Sequence, residues 1–81
     1  MDNERITKEG FKERICRNMG IDAEIARTKG GIILLFSDEA RKDARTNPNY
    51  EQALNELVRD KILIKKGEKY NMNVEHEDFD C

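Results

Sequence analysis

Gln52, Asn55 and Arg59 stand three and four residues apart, the spacing that lines side chains along one side of a helix. Each can do directional chemistry. A carboxamide donates and accepts at once and can pair bidentately with an adenine edge, while a guanidinium forks onto guanine O6 and N7. A few residues on, Lys65, Lys66 and Lys69 crowd three ammonium groups around Gly67, where they would meet phosphate oxygens as point charges. Arg41, Lys42 and Arg45 form a second basic group upstream. The same residues also fit a plainer account. Gln52, Asn55 and Arg59 are what the solvated side of any amphipathic helix looks like, and lysines at a hairpin tip discourage edge-to-edge strand pairing. Glu51, Glu56 and Asp60 lie near the same surface, and Glu56 on an exposed face would repel phosphate, although it could accept from a cytosine amino group.

These side chains need elements to hold them. Phe11, Ile15 and Met19 recur every four residues after Thr7, a hydroxyl suited to capping, with Ile6 and Phe11 as a hydrophobic staple around it. The pattern predicts a first helix ended by Gly20 in a left-handed turn, with Ile21 making the accompanying apolar contact. Asp22–Lys29 reads as a short second helix, capped by Asp22, with Ile25 and Ala26 inward and Gly30-Gly31 ending it. Ile32-Ile33-Leu34-Leu35-Phe36 is apolar on every side. It therefore cannot be the exposed helix of a simple helix-turn-helix centred on Ala26 and Gly30. It reads as a short buried strand, with a buried helical extension as the alternative.

Ser37 then caps Asp38–Arg45, whose inward face is only Ala40 and Ala44 and so demands close packing. Asn47-Pro48-Asn49 breaks the chain, and Asn49 can cap Tyr50–Asp60, where Tyr50, Ala53, Leu54, Leu57 and Val58 share one side. Strands over Lys61–Ile64 and Tyr70–Val74 close the series. A tight Gly67-Glu68 turn would set Ile64 opposite Asn71 and scatter apolar side chains over both faces. A wider loop sets Ile64 opposite Tyr70 and Ile62 opposite Met72, keeps one face apolar, and is the register expected.

The totals bound what this can be. Eighty-one residues make one small domain, expected over 7–74, with a flexible arm at 1–6 and an acidic tail at 75–81. With 40% of residues charged and 37% hydrophobic, the core is thin and leaves little room for a deep substrate cleft. The net charge of −2 hides a polarity: Met1–Asn73 holds all fifteen Lys and Arg against thirteen acids, while the last eight residues hold four acids and no Lys or Arg. That balance tolerates nucleic acid but lacks the large basic excess of a nonspecific binder. Cys16 and Cys81 with the lone His76 give neither a disulfide framework nor a zinc spacing, and Cys16 reads as a small core residue. The longest apolar run is too short to cross a bilayer, and no apolar signal core is present. No P-loop, glycine-rich dinucleotide loop or G-x-S-x-G occurs. The expectation is a non-enzyme without cofactor or metal, cytoplasmic or nucleoid-associated, with reduced thiols.

The order helix, strand, helix, turn, helix, strand, basic loop, strand resembles the winged helix-turn-helix family over Thr7–Val74, with Asp22–Gly31 as an insertion. Its most specific part is Tyr50-x-x-Ala53-Leu54-x-x-Leu57-Val58-x-Asp60-x-Ile62-Leu63-Ile64, then the Gly67 loop and Tyr70. The resemblance implies an α+β fold: three main helices, a small antiparallel sheet and a C-terminal β-hairpin wing. It also implies a transcriptional regulator binding double-stranded DNA. Gln52, Asn55 and Arg59 would read the major groove, and Lys65, Lys66 and Lys69, with Arg41, Lys42 and Arg45, would hold phosphates. So small a reader favours a homodimer or a second partner. The alternative is a winged-helix interaction module, an adaptor or inhibitor that binds a polymerase, nuclease or assembly factor and not DNA.

Overall fold

Thr7 starts the first helix, its hydroxyl accepting the Gly10 amide at 3.0 Å. In the computed structural model, which describes residues 5–21 and 23–75, that helix is α1 (Lys8–Ile21), burying Phe11, Ile15, Cys16 and Met19. Gly20 does not end it in a left-handed turn. Gly67 is the only glycine with positive φ among the described residues, and Ile21, one residue further, is 76% exposed. Cys16 is buried, as expected of a small core residue.

The following segment departs most from expectation. Ala23 and Glu24 form a turn, and Arg27–Thr28 is a short strand, β1, where a helix was expected over Asp22–Lys29. Asp22 itself lies outside the described residues. Thr28 then caps α2 (Lys29–Ile33), accepting the Gly31 amide at 3.1 Å. The expected strand over Ile32–Phe36 is thus helix followed by turn, closer to the helical alternative. The reason is spacing: Ile32, Ile33 and Phe36 are buried together, an i, i+1, i+4 set that one side of a helical turn can bury and a strand cannot. Leu34 is left 62% exposed.

Ser37 caps α3 (Asp38–Thr46) through the Ala40 amide, and the helix buries Ala40 and Ala44 as its small inward face. One residue, Asn47, separates α3 from α4 (Pro48–Arg59). Asn47, not Asn49, is the N-cap of α4: its side chain accepts the Asn49 amide at 3.0 Å, and Pro48 occupies the first turn, where its missing N–H costs nothing. Asn47 is 6% exposed and is the buried polar residue of the core.

Helix α4 ends in a Schellman motif. The Lys61 amide donates to the Val58 carbonyl at 3.0 Å and the Ile62 amide to the Leu57 carbonyl at 2.9 Å. Lys61 therefore takes the left-handed conformation, φ 65°, which glycine adopts more readily. The chain then forms β2 (Leu63–Lys66) and β3 (Lys69–Met72), joined by a two-residue Gly67-Glu68 turn. Positive φ at Gly67 but not at Glu68 is the pattern of a type II′ hairpin turn.

The register corrects the wider loop: Lys66 faces Lys69, Lys65 faces Tyr70, Ile64 faces Asn71 and Leu63 faces Met72. Leu63, Tyr70 and Met72 share the buried face, Ile62 packs half-buried against the core, and Ile64 turns outward. Strand β1 pairs antiparallel with β3, giving the order β1-β3-β2. Among the described residues the architecture is α+β, four helices over a three-stranded antiparallel sheet. Phe11, Phe36 and Tyr50 join α1, the turn after α2 and α4 through ring centroids 5.6–6.2 Å apart.

Two stability effects follow. Lys61→Gly relieves the left-handed strain at some cost in unfolded-state entropy, so the net gain is about 0.5–1 kcal/mol, read as a rise of several degrees in Tm. An unchanged or lower Tm would count against it. Asn47→Ala removes a cap and buried hydrogen bonds together and should cost about 2–3 kcal/mol by urea unfolding.

Candidate nucleic-acid interface

The helical phase of α4 is fixed by Tyr50, Ala53, Leu54 and Leu57, all buried. Gln52, Asn55 and Arg59 consequently lie together on its exposed side. Of the three, Arg59 has a neighbour: its Nε donates to Asp60 at 3.2 Å, and that bond, with the nearby negative charge, raises the guanidinium pKa further. Gln52 and Asn55 keep their carboxamides for solvent or a ligand.

Glu56 behaves differently from the expectation of an exposed, repelling acid. It lies at the α1 side of α4, where Lys8 donates to it at 2.5 Å and Lys12 at 3.3 Å. The Lys8 hydrogen bond, with help from Lys12, holds the Glu56 carboxyl below its ordinary value against the opposing effect of burial. Glu51, on the other flank, pairs with Lys29 at 3.2 Å. Two of the acids beside the stripe are thus matched by cations from other elements. Sequence reasoning missed Lys8, Lys12 and Lys29 as partners because each pairing spans more than twenty residues and leaves no local signature.

The hairpin lysines divide by strand parity. Lys65 leans over the ring of Tyr70, with its ammonium 5.9 Å from the centroid. Lys66 and Lys69 face each other across the last rung before the turn, so two like charges share the outer face of the tip. On α3, Arg41 is tied to Asp38, whereas Lys42 and Arg45 are exposed. Lys42, Arg45, Lys65, Lys66 and Lys69 have no carboxylate partner among the described residues.

Helix α4 packs against both α3 and β2, which places the stripe on the element that joins the two basic groups. Two shallow grooves open on the surface. One, of about 300 Å³, lies between the start of α2 and the hairpin tip and is lined by Lys29, Lys65 and Tyr70. The other, of about 430 Å³, lies between α2 and the α3–α4 corner and is lined by Lys29, Ile33, Arg45 and Tyr50. Burial pushes the Tyr50 phenol above its usual range, so it stays a neutral donor to the Lys29 carbonyl at 2.7 Å. Among the described residues no group of three or more His, Cys, Asp or Glu is placed to hold a metal ion, and no helix is long and apolar enough to cross a membrane.

Because the folded-state pKa of Glu56 is depressed, its pairing stabilises the fold above the unfolded value near 4.5, and that stabilisation disappears as pH falls through the lower folded value. Glu56→Gln should therefore be less stable than the parent chain at neutral pH, with the gap closing below about pH 4.5; a gap independent of pH in urea unfolding would reject this account. Comparison of the chain with known protein families, with characterised proteins and with solved structures finds no match.

Proposed function

We propose that this chain is a small winged-helix protein that binds double-stranded DNA, acting in the cytoplasm or nucleoid as a transcriptional regulator. In this reading α4 is the recognition helix and the β2–β3 hairpin is the wing. The observation that carries it is the stripe Gln52–Asn55–Arg59, exposed on a helix that also packs against the strand leading to Lys65, Lys66 and Lys69. Pairing of Glu56 with Lys8 and Lys12 supports it further, since the acid that would most directly oppose phosphate is already matched. Gln52 and Asn55 would read base edges, and the wing lysines with Lys42 and Arg45 would hold the backbone. A single domain covers few base pairs, so two copies on adjacent half-sites would supply useful specificity.

A second reading has its own support. Leu34 and Ile21 are large apolar side chains left mostly in solvent, 62% and 76% exposed, and would suit a docking surface if a partner covered them together. In that case the chain is an adaptor or inhibitor that docks on a protein of the nucleic-acid machinery.

Fluorescence anisotropy with a labelled duplex across a salt series separates the two. The DNA reading expects binding at low salt that weakens steeply as salt rises. Replacing Lys65, Lys66 and Lys69 together by Ala should flatten the log–log slope by about 2–3. On a preferred sequence, Gln52→Ala or Asn55→Ala should cost about 1–3 kcal/mol. Absence of binding at low salt would overturn the DNA reading in favour of the protein partner.

A further inference from the structure

Two residues ahead of α1 make an unusual concentration of hydrogen bonds. Arg5 donates through Nε to Asp43 Oδ1 at 2.7 Å and through Nη2 to Thr46 Oγ1 at 2.7 Å. The Ile6 amide donates to Asp43 Oδ2 at 2.8 Å. In return the Ile6 carbonyl accepts from Asn47 Nδ2 at 2.9 Å and from Asn49 Nδ2 at 3.1 Å. Every partner belongs to the last turn of α3, the single linking residue, or the first turn of α4. The expected flexible arm at 1–6 therefore includes two residues bonded into the helix corner; residues 1–4 lie outside the described residues.

We infer that Arg5 and Ile6 form a clamp on the α3–α4 corner, with Arg5 a positioning residue for the exposed face of α4. The chemistry favours positioning over direct contact with a ligand. The Arg5 charge is already answered by the Asp43 carboxylate, and its Nε and Nη2 are held by Asp43 and Thr46, which turns the guanidinium toward the corner. Asp43 collects donors from Arg5, from the Ile6 amide and from Asn47 at 3.1 Å. Burial pushes its carboxyl up, but those hydrogen bonds outweigh it and keep the group ionised. The linker has no length with which to absorb motion, so displacing the arm changes the angle at which α4 leaves α3. Anything that pulls Arg5 away, whether a ligand, a modification upstream or a docked partner, would act on α4 from a site outside its reading face. The consequence for DNA rests on the function proposed above; the clamp itself does not.

Amide hydrogen exchange on the full chain tests the clamp without DNA. In Arg5→Ala, and independently in Asp43→Asn, the Ile6, Asn49 and Tyr50 amides should exchange faster by about tenfold or more, while the hairpin amides of Lys66 and Lys69 keep their rates. Equal acceleration in the corner and the hairpin, or none in the corner, would overturn the clamp. With a labelled duplex as probe, Arg5→Ala should weaken binding several-fold at unchanged salt slope. A slope shallower by about one would make Arg5 a phosphate contact and overturn the positioning role. If the parent chain binds no duplex, the DNA reading fails while the exchange rates still decide the clamp.

Discussion

Everything about the exposed face of α4 depends on the way Asn47 spends its hydrogen bonds. Its backbone N–H closes α3 on the Asp43 carbonyl at 2.8 Å, and its carbonyl accepts the Tyr50 amide at 3.1 Å. Its side-chain oxygen caps α4, and its side-chain nitrogen reaches Ile6 and Asp43. A carboxamide offers two donors and one acceptor oxygen, and here each is engaged. Such a buried polar group is tolerated because it is satisfied. It fixes where α4 begins, and so which residues face inward. Tyr50 then enters the aromatic cluster with Phe11 and Phe36 and anchors α2 through its hydroxyl. Gln52, Asn55 and Arg59 are exposed as the other half of that same phase.

How much of this could be read beforehand varied with the physical signal. Periodicity alone located α1 and α4, because burying Phe11, Ile15 and Met19, or Ala53, Leu54 and Leu57, leaves one helical phase available. Thr7 and Ser37 were legible as caps from residue type. The span from Ala23 to Phe36 was not. Five consecutive apolar residues carry no period, and β1 is two residues long, held by β3 from more than forty positions away. The hairpin register is not legible in the sequence, because apolar side chains lie at Ile62, Leu63 and Ile64 alike and only packing decides that Leu63 is the one fully buried. The stripe itself was legible as the reverse of the core face. Its electrical surroundings were not, because the cations that answer Glu51 and Glu56 come from α1 and α2.

Those pairings reshape a nearly neutral chain. Individually, exposed ion pairs contribute little to stability. Their effect is on distribution: Asp38, Asp43, Glu51, Glu56 and Asp60 each meet a Lys or Arg. Lys42, Arg45 and the hairpin lysines are left unmatched among the described residues. A net charge near zero is therefore compatible with a local positive field, and total charge is a poor guide to what such a surface attracts.

The single-residue joint between α3 and α4 also sets where this fold can tolerate change in length. Each residue of an α-helix turns the chain by about 100°. One residue added or lost at the joint, with no loop to take up the difference, would swing the whole outer face of α4 round by that angle while Tyr50, Ala53 and Leu54 contested the same core. The Gly67-Glu68 turn has no such coupling, because it projects into solvent beyond the last paired rung. Lengthening there adds reach and leaves the phase of α4 untouched. Among related chains, variation in length should therefore gather at the hairpin tip, and the corner should keep its residue count even where its side chains differ.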